Sequence, residues 1–77
     1  MDTFAQLRET MAMTLNVPAD AIRDTTTRDD LGSWDSLGHI NLMVAIETTF
    51  DLTLEVEDFA RLTSVPAILA YLAEHGA

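Results

Sequence analysis

The 77-residue sequence predicts an all-α fold, a small bundle of three main helices plus one short helix, with a long loop after the first. Three observations carry this expectation. Apolar residues return at helical spacing in separate segments, residues suited to capping stand ahead of them, and no stretch alternates as a half-buried strand does.

The first helix is read from Phe4, Leu7, Met11 and Leu15, which fall on one face. Thr3 followed by Gln6 fits a capping box at its start, and Asn16-Val17-Pro18 ends it. From Asn16 to Asp35 the chain reads NVPADAIRDTTTRDDLGSWD, without a sustained period. So long a connection in a small domain is either functional or pinned by its own anchors. Val17, Ile22, Leu31 and Trp34 are the expected anchors, with a short helical turn between Pro18 and Ile22.

The second helix is expected from Ser36 to Phe50. At 100° per residue, Leu42, Met43, Ile46 and Phe50 share one face with His39. Leu37, Ile40 and Val44 form an adjoining stripe, and Asn41, Ala45 and Thr48 fall on the opposite, wet side. This is more apolar surface than one neighbouring helix covers, so either two helices pack on it or the second stripe stays accessible. A short helix near Val56 to Leu62 contributes Phe59 and Leu62. Thr63 or Ser64 then caps the last helix, with Pro66 tolerated in its first turn. Val65, Ile68, Leu69 and Leu72 supply its inner face, and Gly76 is its expected stop.

Composition narrows the function. A single domain over residues 1–77 is expected, near the lower size limit for an unstapled core. With no cysteine, neither a disulfide framework nor a thiolate metal site can form. Thirteen acids oppose four arginines, for a formal charge of −9, so nucleic acid is not an expected partner and steering toward basic protein surfaces is. Met1-Asp2-Thr3-Phe4 lacks a basic region leading into an apolar run, and no apolar segment approaches the roughly 20 residues that span a bilayer. The expectation is a cytoplasmic protein without membrane insertion.

The stretch LGSWDSLGHINL, residues 31–42, raises the functional question. Asp35 and Ser36 stand where a helix cap belongs, and either satisfies free N–H groups there. Asp35, Ser36 and His39 hold the residue types of a catalytic triad. In a triad, however, the acid orients the histidine from the far side of its ring, and the members come from distant segments. The Gly-x-Ser-x-Gly elbow is absent as well. A calcium loop from Asp24 to Asp35 fails at Arg28, which takes a ligand position, and at Asp29, where glycine is required. No metal site and no catalytic residue are expected. Attachment is the remaining reading: an anion esterified to Ser36 meets the positive end of the second helix. It needs an exposed hydroxyl and a mobile approach loop, while a separate enzyme supplies activation. Capping and attachment both stand at this point.

The chain resembles the acyl carrier proteins, the phosphopantetheine-bearing domains of fatty acid, polyketide and related pathways. The matching residues are Asp35-Ser36-Leu37, Leu31-Gly32 before them, and Ile40, Leu42, Ala45, Ile46, Glu47 and Phe50 after. The later LTSVPAILAYL also resembles the family's junction into the last helix, so the likeness spans essentially the whole chain.

The resemblance implies an acyl-carrier-like four-helix bundle. It implies covalent 4′-phosphopantetheine on Ser36, with Asp35 as the motif acid, and a non-catalytic carrier of acyl thioesters. The implied partners are a phosphopantetheinyl transferase and acyl-loading, condensing or acyl-transfer enzymes, meeting a monomer. Leu37, Ile40, Val44 and Glu47 match positions that meet partners, and Asp51 matches a further acidic one. The chain departs from the common pattern in having both Ser33 and Trp34 between the glycine and Asp35. It also carries Gly38, Asn41 and Thr48 where fatty acid carriers have acids. Polyketide or other specialised biosynthesis is therefore expected over primary fatty acid synthesis. The alternatives are a peptidyl or aminoacyl carrier, and an unmodified carrier-like interaction module. Trp34 is expected to pack as a loop anchor, and His39 to pack or hydrogen-bond inward. Gly38 costs about 1 kcal/mol against Ala and is read as easing access near the attached arm.

Overall fold

The computed structural model describes residues 2–75, and these form four helices: α1 (Thr3–Leu15), α2 (Ser36–Phe50), α3 (Val56–Arg61) and α4 (Val65–Glu74). Two 3₁₀ turns, Ala19–Ala21 and Arg28–Asp30, interrupt the connection from α1 to α2. The described residues contain no named strand, and the all-α bundle of three main helices and one short one is observed.

The cap of α1 lies one residue earlier than expected. Asp2 is the N-cap, its carboxylate accepting the Phe4 N–H at 3.3 Å, while Thr3 and Gln6 lie inside the helix. A charged acceptor at the positive helix end displaces the threonine from that duty. α1 and α2 end alike, on Asn16 (φ 56°) and Asp51 (φ 53°) in the left-handed conformation. Each end turns the following apolar residue, Val17 or Leu52, back against the core.

The core is one cluster drawn from every helix. Leu7, Met11 and Leu15 of α1 meet Leu42, Met43 and Ile46 of α2, and Val65, Ile68 and Leu72 of α4 close it. Leu62, following α3, is buried, and Phe59 is half-buried against the cluster. Tyr71 is buried too, a member that the apolar count over α4 does not include. Ser64 caps α4 by accepting the Ala67 N–H at 3.1 Å. Gly76, the expected stop, lies outside the described residues.

The long first loop is tied down at both ends. Ile22 and Trp34 are buried, and Val17 and Leu31 pack against the core, as their apolar side chains suggest. The chain between them pairs with the entry to α4: the Val65 N–H donates to the Thr26 carbonyl at 2.8 Å, and the Arg28 N–H to the Thr63 carbonyl at 2.9 Å. Thr26 is buried, its hydroxyl accepting the Arg23 N–H at 2.7 Å. The approach to Ser36 is thus anchored by buried side chains and by bonds to the entry of α4.

Ala45 also departs from expectation. It is half-buried because α1 lies along that side of α2, and it lines a groove with Thr10, Met13 and Thr14.

Candidate functional site

Asp35 and Ser36 divide the roles that the sequence left open between them. Asp35 is the N-cap of α2, in extended conformation, and its Oδ1 accepts the Gly38 N–H at 2.8 Å. Ser36 is the first helical residue, exposed, and its hydroxyl caps no backbone N–H among the described residues. The capping account is thereby taken up by Asp35. Ser36 presents an oxygen outward beside the positive end of a 15-residue helix.

A guanidinium stands beside that oxygen. Arg28 donates through Nη2 to Ser36 Oγ at 3.4 Å and through Nε to the Trp34 carbonyl at 3.1 Å. Its place is set by the 3₁₀ turn, where Thr27 and Asp30 cap each other reciprocally, and by its own bond to Thr63. Nothing in the sequence pattern marks Arg28 for this position. It lies eight residues before Ser36, across a loop with no period.

Behind the serine sits a buried polar relay. The Trp34 indole is 1% exposed and donates to His39 Nδ1 at 2.9 Å. Since Nδ1 accepts, Nε2 carries the proton of neutral His39, and it donates to the Phe59 carbonyl. Trp34 is thus a loop anchor, and His39 an internal link from the loop to α3. These bonds to Trp34 and Phe59 account for both His39 ring nitrogens and leave neither for Ser36.

Gly38 has a structural cause unlike the one its composition suggests. A Cβ there meets the Ser33 carbonyl oxygen at 2.2 Å, so glycine lets the loop backbone lie directly on the first turn of α2. It serves close approach of the loop, where the sequence suggested access for an attached arm.

The four residues expected to meet partners separate into two groups. Leu37, Ile40 and Val44 remain 68%, 51% and 51% exposed, so the second apolar stripe of α2 is accessible. Glu47 is half-buried, and its Oε2 accepts the Leu54 N–H at 2.9 Å, holding the turn after α2. Asp51 is exposed as the left-handed cap of the same helix. Val56 at the start of α3 adds another exposed apolar side chain.

A second carboxylate site lies on α3. Asp58 is buried and accepts the Glu55 N–H and the Arg61 guanidinium, each at 2.9 Å. The Glu55 backbone bond, aided by Arg61 and set against the cost of burial, holds its carboxyl below the ordinary value of 3.8. Burial and the adjacent Asp58 charge push the Tyr71 hydroxyl up from 10.0. This is an internal cap and clasp; its only sequence signal is the Glu55–Asp58 spacing of a capping box.

Among the described residues, no group of three or more His, Cys, Asp or Glu could hold a metal ion, and no helix is long and apolar enough to cross a membrane.

Comparison with known proteins agrees with this geometry. The family model described as "Phosphopantetheine attachment site" matches residues 5–72. An acyl carrier protein of Clostridium perfringens is 34% identical over 73 residues, covering 94% of this chain and 95% of that protein. A second relative, the non-reducing polyketide synthase Preu3 of Preussia isomera, is 32% identical over 74 residues. The match covers 96% of this chain but 3% of the synthase.

Proposed function

This chain belongs to the phosphopantetheine-bearing acyl carrier family, whose cofactor is covalently attached 4′-phosphopantetheine, and from that premise we propose that Ser36 Oγ is the point of attachment. One observation carries the reading: the serine at the helix start is exposed and relieved of capping by Asp35. The residues around it suit a phosphodiester, with a guanidinium at 3.4 Å and the α2 amides at hand.

Attachment needs no base from this chain. A phosphopantetheinyl transferase presents coenzyme A, and Ser36 Oγ forms its bond to the phosphorus as the bond to the adenosine 3′,5′-bisphosphate portion breaks. The serine proton leaves to the transferase. Once bound, the arm supplies a terminal thiol that holds acyl groups as thioesters. Ser36 then acts as a tether, raising the effective concentration of its cargo at each partner. Leu37, Ile40 and Val44 form the docking stripe for acyl-loading, condensing or acyl-transfer enzymes, with Glu47 at its far end. Residues 1–77 act as one carrier domain, monomeric and cytoplasmic.

Specialised acyl or polyketide biosynthesis suits this docking face better than primary fatty acid synthesis. Glu47 is the one acid in α2, and its carboxylate is engaged by Leu54. Similarity to one segment of a polyketide synthase is in keeping with this reading. A peptidyl or aminoacyl carrier has the same attachment chemistry and differs only in its cargo.

The test is intact mass after incubation with coenzyme A, Mg²⁺ and a broad-specificity transferase. A gain of one phosphopantetheine is expected on the wild-type protein and none on Ser36→Ala. An unmodified wild-type protein refutes attachment and favours a carrier-like interaction module, for which Val44→Glu abolishes partner binding and Ser36→Ala is silent.

A further inference from the structure

We propose that Arg28 clamps the phosphodiester once Ser36 is modified, transferring its hydrogen bond from the serine hydroxyl to the phosphate. The inference rests on the attachment reading above and deepens it.

The clamp is already assembled around the unmodified serine. Arg28 is half-buried, its Nε is held by the Trp34 carbonyl, and its Nη2 reaches Ser36 Oγ. The fork is therefore oriented before any anion arrives, and a phosphate oxygen on Ser36 lies only two bonds beyond the atom that Nη2 already contacts. Arginine suits this task because its planar donors match phosphate oxygens and it is always charged.

The charge of Arg28 is also free for it. The one ion pair within 4.0 Å among the described residues joins Arg61 to Asp58. Arg8 lies over the Phe4 ring, 5.3 Å from its centroid. Of the nearby acids, Asp30 accepts the Thr27 N–H and Asp35 the Gly38 N–H. Modification adds a further negative charge next to Asp35 in a chain of formal charge −9. A guanidinium at this place offsets that repulsion. Because the same side chain holds the Trp34 carbonyl, it also fixes the root of the arm to the loop.

A thermodynamic cycle tests this, with modification as one axis and Arg28→Gln as the other. Structural losses common to both forms cancel, leaving the interaction between arginine and phosphate. Intact mass first establishes that Ser36 is loaded in both proteins. The melting temperature of the loaded minus the unloaded protein is expected to be about 2–5 °C more favourable in wild type than in Arg28→Gln. Arg28→Lys, which keeps the charge but loses the fork, falls between them.

In wild type the ³¹P resonance of the loaded protein shifts as NaCl is raised toward 1 M, because salt screens an exposed pair. In Arg28→Gln that salt response is lost. Equal loaded-minus-unloaded differences in the two proteins, with identical ³¹P salt responses, overturn the clamp while leaving attachment intact. Absence of the mass gain in wild type overturns attachment, and the clamp with it.

Discussion

Gly38→Ala is a substitution on which helix propensity and tertiary structure disagree in sign. In an exposed helix interior the change gains about 0.8–1.0 kcal/mol. Here the new methyl stands 2.2 Å from the Ser33 carbonyl oxygen, 3.2 Å from Leu15 Cδ2 and 3.3 Å from Asp35 Oδ1. The first neighbour is backbone, so relief requires that segment to retreat by about 1 Å to reach an ordinary carbon–oxygen separation. Retreat pulls on Trp34, whose N–H is bonded to the Leu31 carbonyl and whose indole is bonded to His39. Overpacking of this kind costs about 1–3 kcal/mol. Set against the propensity gain, the net loss is about 1 kcal/mol, or about 4–8 °C in melting temperature for a domain this size. Urea denaturation followed by circular dichroism and by emission of Trp34, the one tryptophan, reads stability and loop displacement together. A Gly38→Ala protein as stable as wild type, with unshifted indole emission, refutes the close-approach account.

The division of labour at the start of α2 predicts that Asp35→Ala lowers stability by about 0.5–2 kcal/mol, while Ser36→Ala stays within about 0.5 kcal/mol; equal losses in urea melts contradict it. Trp34→Phe keeps much of the apolar bulk but leaves His39 Nδ1 without its donor, at a cost of about 1–3 kcal/mol. Combined with His39→Phe, the total loss should fall short of the sum of the single losses, because both remove one relay. Asp58 predicts an acid limb: with its carboxyl lowered by folding, its contribution is complete above the ordinary 3.8 and disappears as pH falls through the lower native value. Tyr71, raised by burial, predicts the opposite limb, its contribution complete below 10.0 and lost as pH climbs through the raised native value. Melting temperatures of Asp58→Asn and Tyr71→Phe across pH check the two limbs, each of which should flatten in its own variant.

The helices were legible because each main one writes a 3.6-residue apolar period into the sequence, and Ser36–Phe50 is observed with both of its predicted bounds. The anchors Ile22 and Trp34 were legible because large apolar side chains in a polar loop have few places to go but the core. What stayed hidden were contacts that depend on where the loop returns. Arg28 reaches Ser36 only because Thr26 and Arg28 pair with the chain entering α4, and neither TTTR nor TSVP carries a strand-like pattern. Gly38 was misread for the same reason: the Ser33 carbonyl that requires it belongs to the folded loop. Asp2 took the cap from Thr3 because one-residue choices among good capping side chains depend on charge and local geometry, to which periodicity is blind.

The acidity of the chain and the surface it offers to partners have to be separated. Thirteen acids suggest a protein that docks by charge, yet several are engaged in holding the backbone. Asp2 and Asp35 cap helices, Asp30 and Asp58 close capping boxes, and Glu47 secures the turn toward α3. A carboxylate bonded to a backbone N–H still contributes to the long-range field, but it has less acceptor capacity and less freedom to turn toward a partner's cation. On α2 the engaged acid is Glu47, and the freely presented side chains are Leu37, Ile40 and Val44. Net charge therefore acts at a distance, steering basic surfaces toward the molecule. On the docking reading proposed above, close contact at the second helix falls to an apolar stripe that begins at the residue after Ser36. That reading makes selection among partners depend on shape and apolar fit along the stripe more than on charge pairing.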